Sequence, residues 1–223
     1  MNTTDAIQPE AASGVRPRLL WGLVALAVLY AAADTAFQFS PIFIRALRFH
    51  EAHYNWGGKL VSLIFAGVLL ASSPWLRQNI GLRWRQSPGS IRLSLVCFLA
   101  CIAAGIVTEL PLRPEMFSLE TLLFEAFVPS ITEELAYRGI MLSLLERAFG
   151  HSPISCQMRY GWAALITSVL FGLLHLPDPA SVLFAAAAGS VLALVRTRSG
   201  SLLWPILCHT ALNLPHHASS MML

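Results

Sequence analysis

The stretch "ITEELAYRGI", residues 131–140, sets Glu133, Glu134 and Arg138 among apolar neighbours. More polar groups recur downstream: His175 sits in "FGLLHL", and His209 stands four residues before Asn213 in "HTALN". Ionisable groups inside apolar runs are costly and tend to face a bundle interior or a water-filled cavity. On a helix, Glu134 and Arg138 are neighbours on one face and can pair, which by itself could be only a structural salt bridge. Glu133 is turned about 100° from Glu134 and cannot share Arg138 with equal geometry. It needs another donor, a proton or water, and a carboxylate in a poorly hydrated cavity is tuned toward the work of a general base. His209 and Asn213 likewise share a face. Phe171, four before His175, would pack beside the imidazole and reads first as a core aromatic.

Three chemistries fit this set. Water activated by Glu133 and His175 could attack a peptide carbonyl while His209 and Asn213 donate to the developing oxyanion. Glu133, His175 and His209 resemble a His2Glu zinc set, although the usual zincin helix motif is absent. The same groups could also conduct protons or a small ion, but 223 residues with no evident internal repeat is short for a secondary transporter. No serine stands in a nucleophile context.

Helices must bring these groups together. The chain is 56% hydrophobic and only 12% charged, against roughly a quarter charged in soluble domains, which points to a membrane protein. Seven apolar runs, 19–40, 58–76, 91–110, 119–147, 160–176, 181–195 and 201–214, are rich in Leu and Ala without strand alternation, so an all-α polytopic bundle is expected. Residues 1–18 read as an N-terminal tail and 19–223 as one membrane domain. With the N-terminus inside, the basic residues at and between the span ends divide ten against four, a bias that favours a cytoplasmic N-terminus and, after seven spans, an external C-terminus. Taking Arg147, Arg159 and Arg198 as inner markers, Glu133, His175 and His209 lie at depths of roughly 21, 24 and 17 Å, so they can meet at one level. The +3 charge is dispersed and gives no sign of a nucleic-acid partner. The four cysteines imply no disulfide framework, and Cys97 and Cys101 suit one buried helix face.

"EELAYR", "FGLLH" and "HTALN" together resemble, in order and spacing, the three motifs of the CAAX protease and bacteriocin-processing (CPBP) family, which includes Rce1-like prenyl-protein endopeptidases. The resemblance covers about residues 118–215. It implies a glutamate-dependent intramembrane endopeptidase in which Glu133 is the catalytic glutamate, His175 its partner in polarising water, and His209 with Asn213 the oxyanion side. Glu134 and Arg138 are then the supporting pair. Family members were long regarded as metalloproteases, and the expectation here is a mechanism without cofactor or zinc. The last motif ends ten residues from the final residue, leaving no room for the eighth helix of Rce1-like enzymes. The expected substrate is a membrane-anchored protein or peptide, cut near its terminus in a bacterial inner membrane. Bacteriocin immunity or a membrane scaffold is the non-enzymatic alternative.

Overall fold

A computed structural model describes residues 17–47, 54–108, 119–149, 153–155 and 160–218. Most of the expected tail, together with Glu109, Cys156 and the depth marker Arg159, lies outside them. The described chain is mostly helical. α1 (Pro17–Phe39) and α2 (Pro41–Leu47) are followed by α3 (Trp56–Ser72), α4 (Pro74–Asn79) and α5 (Ser90–Thr108). A continuous helical rod then runs through α6 (Leu119–Thr121), a π-turn at Leu122–Phe127, α7 (Val128–Glu134), a second π-turn at Leu135–Met141 and α8 (Leu142–Phe149). Two short strands, β1 (Pro153–Ser155) and β2 (Tyr160–Gly161), pair antiparallel before α9 (Trp162–Leu173), α10 (Pro179–Ser199) and α11 (Leu203–Ala218).

Each of the seven apolar runs therefore has a helical counterpart, and the strand pair is an addition that no apolar periodicity announces. Two helices, α5 and α10, are long and apolar enough to cross a bilayer by length and composition. Only 22% of the apolar window in α5 and 33% of that in α10 is covered by protein, unlike the core helix of a soluble domain. Leu95, Val96, Leu99 and Val107 of α5 and Leu183 of α10 lie uncovered. These are the surfaces a lipid solvent would accept.

Local chemistry sets the helix ends. Ser73 caps α4, accepting from Leu76 N at 3.2 Å, and Pro74 occupies the first turn where its missing N–H costs nothing. Asp178 caps α10 by accepting from the backbone N–H groups of Ala180 and Ser181. Gly200, at φ 70°, closes the other end of α10 in the left-handed conformation.

The rod is wound irregularly for a reason visible in the sequence. Pro129 has no N–H to return to the carbonyl four residues earlier, and its ring crowds that carbonyl. The backbone widens into a π-turn on the N-terminal side of Pro129 and again directly after Glu134. Ser130 and Thr132 bond to their own helix, at Ala126 O (2.7 Å) and Val128 O (2.9 Å).

Two cores pack the bundle. Tyr30, Ala66, Ile140, Met141, Leu144, Ala163 and Phe171 join α1, α3, the second half of the rod and α9. Cys97, Cys101, Leu192, Val195, Cys208 and Ala211 join α5, α10 and α11, with all three cysteines as free thiols. At one end of the bundle, Arg147 stacks over Trp75 at 4.3 Å, Arg196 donates to Asn79 O at 2.7 Å and Arg83 donates to Gly200 O at 2.7 Å. At the other, Tyr54 and Trp56 meet Glu120, Thr121 and Phe124.

Candidate active site

The rod carries Glu133 and Glu134 at the last residues of α7, and the turn that follows carries Arg138. Glu134 and Arg138 are fully buried, and Arg138 Nη1 donates to Glu134 Oε1 at 2.9 Å. The same Oε1 meets His209 Nδ1 of α11 at 2.9 Å. With the carboxylate accepting, the hydrogen of that bond sits on Nδ1, and Nε2 is the nitrogen left for chemistry. Glu134 is thus more than a helix-locking partner: it joins the rod to α11 and sets the orientation of His209.

Phe171 is the hub of the arrangement. Its ring lies edge-on to His175 at 5.4 Å, to His209 at 5.7 Å and to Tyr137 at 5.4 Å between centroids. The Arg138 guanidinium covers the ring at 4.3 Å, a cation–π contact that compensates in part for the buried Nε and Nη2, which have no hydrogen-bond partner among the described residues. Gly189 of α10 makes the space: a Cβ there would stand 2.8 Å from Arg138 Nη2 and 3.2 Å from Phe171 Cδ1. The core-aromatic reading of Phe171 holds for its burial and omits its contacts, because one buried ring orients both histidines.

His175 follows the C-terminal end of α9, in the turn before α10, where it is exposed. Its Nδ1 lies 3.2 Å from Phe171 O. With that carbonyl accepting, Nδ1 carries the hydrogen and Nε2 presents a lone pair. Glu133 is half-buried and accepts from Lys59 Nζ of α3 at 3.1 Å. Its carboxylate also lies in the electrostatic field of His209 and His175. Glu133, Glu134, Arg138, Phe171, His175 and His209 are therefore brought into one neighbourhood.

Asn213 is one turn beyond His209 on α11 and faces the rod. Its Nδ2 donates at 3.2 Å to the carbonyl of Glu125, the carbonyl four residues before Pro129. The proline that widens the rod thus leaves an acceptor for the asparagine. One Nδ2 hydrogen is held there and the second is unassigned by that bond.

Residues 114–215 match the family model described as type II CAAX prenyl endopeptidase, Rce1-like. This segment is an Rce1-like domain. The Rce1-like segment contains the rod, α9, α10 and most of α11, hence every residue of the cluster except Lys59. No curated protein and no solved structure matches the chain.

Among the described residues, no three His, Cys, Asp or Glu side chains are grouped so as to hold a metal ion. Glu133 gives one oxygen to Lys59, and the Nδ1 of His209 is committed to Glu134. Lys59 and Asp34 belong to none of the three motifs. Asp34 is buried and accepts a hydrogen bond from Ser62 of α3. A signal for Lys59 was present all the same: it is the only lysine among fifteen basic residues.

Proposed function

We propose that the protein is an intramembrane endopeptidase that hydrolyses a peptide bond near the terminus of a membrane-anchored protein or peptide. The observation that supports the proposal is that His175 and His209 both pack edge-on to Phe171, with Glu133 in the electrostatic field of the two imidazoles, within a segment that matches an endopeptidase family.

Glu133 takes a proton from water, with His175 Nε2 holding that water by hydrogen bond. The water oxygen forms a bond to the carbonyl carbon, and the carbonyl π electrons move to oxygen. His209, protonated on both nitrogens, donates from Nε2 to this oxyanion, and its positive charge is met by Glu134. The second Nδ2 hydrogen of Asn213 completes the oxyanion contact. Collapse breaks the C–N bond, and the departing amine receives the proton from Glu133. Residues of this chain suffice for each step, and general-base and oxyanion contributions of about 10²–10⁴ and 10²–10³ are the ordinary magnitudes for such groups.

We further read all seven helical runs as a bundle in the bilayer, with a cytoplasmic N-terminus and the site opening near His175, toward the end away from Arg147 and Arg196. The test is terminal proteomics of membrane fractions from cells lacking the gene, complemented with the native chain, Glu133→Gln or His175→Ala. Cleaved termini that depend on the native chain and vanish in both variants are expected. Unchanged processing in Glu133→Gln would refute the protease and favour an immunity or scaffold role.

A further inference from the structure

Lys59 lies outside the Rce1-like segment, 74 positions before Glu133, on a helix whose sequence carries none of the three motifs. Its side chain is 10% exposed and that of Glu133 15%, with 3.1 Å between Nζ and Oε1. A charge so nearly buried needs a partner, and this pair supplies one to each side chain. Arg138 Nη1 and His209 Nδ1 already donate to Glu134. The donor that Glu133 requires therefore comes from another helix.

The start of α3 is held to the rod independently of this pair. Asn55 Oδ1 accepts from Gly58 N at 2.9 Å, which caps the helix. Trp56 Nε1 donates to Glu120 Oε1 at 2.9 Å, and Tyr54 OH donates to Thr121 Oγ1 at 3.2 Å. Phe124 stacks on Tyr54 at 4.7 Å and meets Trp56 edge-on at 5.0 Å. Gly57 and Gly58 are buried immediately before Lys59. The ammonium is thus delivered from a fixed helix end to a carboxylate on the rod, and both ends of the ion pair are anchored.

We propose that Lys59 is a positioning residue for Glu133: it pins one carboxylate oxygen and leaves the other directed to the water that the base deprotonates. This rests on the protease reading above. It extends the working site beyond the matched segment, and it gives α3 a part in the chemistry that its sequence does not announce.

The test uses the same terminal proteomics, with Lys59→Met, Lys59→Gln, Lys59→Arg and Glu133→Gln in the full chain. Membrane-fraction abundance and detergent melting report folding. Loss of a fixed geometry at the reacting groups predicts processing slowed about 10- to 100-fold in Lys59→Met and Lys59→Gln. Lys59→Arg, which keeps the charge and a donor, should recover most of it. The double variant Lys59→Met/Glu133→Gln should melt at least as high as Lys59→Met while remaining inactive. Native-rate processing in a folded Lys59→Met or Lys59→Gln, with Glu133→Gln inactive, overturns the role of Lys59 alone. Failure of Lys59→Arg to exceed Lys59→Gln also overturns it, since the charge would then not matter. Native processing in Glu133→Gln removes the protease reading and the positioning role together.

Discussion

At the scale of single residues, the decisive feature is the division of labour between adjacent glutamates. Glu134 Oε1 receives two donors in full burial, so removing any partner leaves charge stranded. Glu134→Ala or Arg138→Ala should destabilise the bundle by about 3–5 kcal/mol, the usual cost of breaking a buried pair, measured by chemical unfolding in detergent. Arg138→Lys should recover only part of that stability, because an ammonium cannot both bond Glu134 and lie flat on Phe171. Glu133→Gln keeps an amide oxygen that can still accept from Lys59 but removes the counter-charge of that ammonium, while the base is gone. Its expected signature is a folded protein with a lowered melting transition, less so than in Glu134→Ala, and processing reduced by about 10²-fold or more.

At the scale of elements, the helices matter through how closely they approach and where they fail to be regular. Gly172 of α9 faces α10 so tightly that a Cβ would stand 2.7 Å from Val182 O and 2.8 Å from Ala186 Cβ. Gly172→Ala must therefore separate α9 from α10, at a cost of about 1–3 kcal/mol, and should displace Phe171 and His175 with it. A Cβ at Gly139 would press on the ends of the Leu202 and Leu135 side chains, at 3.3 and 3.4 Å, and stand at an ordinary 3.7 Å from Glu134 O, so Gly139→Ala should be milder. Comparing melts and processing rates of the two variants checks the contrast. The π-turns are a second lever, and such turns recur at functional sites. Pro129→Ala supplies an N–H that competes with Asn213 for the Glu125 carbonyl. A hydrogen bond is worth about 0.5–1.5 kcal/mol, so processing should fall by up to about tenfold while the protein stays folded. In the loop after His175, hydrogen bonds from Ser181 hold the Asp178 carboxyl below its ordinary range. A depressed value means the cap stabilises the helix above the unfolded aspartate's pKa and is lost only as pH falls through the lower, folded one.

At the scale of the molecule, the described helices carry large apolar side chains on their outer faces and bury Lys59, Glu134 and Arg138 inside, the reverse of a water-soluble bundle. Uncovered Leu60, Ile64 and Val68 of α3, Val28 and Leu29 of α1, and the faces of α5 and α10 surround the buried Lys59, Glu134 and Arg138. The protein should stay in the membrane pellet through alkaline carbonate extraction and require detergent for release. Soluble recovery would contradict the bilayer reading. Orientation has its own test. In a chain with Cys156 replaced by serine, Ser219→Cys should react with an impermeant thiol reagent on intact cells, and labelling only after lysis would reverse the proposed topology.

What the residues alone determined is what repeats locally. Helical runs follow from apolar composition, and the Glu134–Arg138 pair from a spacing of four. The three motifs singled out Glu133, Phe171, His175, His209 and Asn213 because each lies on a short segment whose pattern can be read in place. Tertiary structure decided the rest. Lys59 meets Glu133 across 74 positions, and no periodicity reaches that far. His209 reaches Glu134 across 75 for the same reason. The π-turns break the regular rise that depth estimates assume, and Pro129 hinted at the break without showing that Asn213 would use the carbonyl it leaves. Long-range partners are chosen by packing, and packing depends on the shapes of all the helices at once.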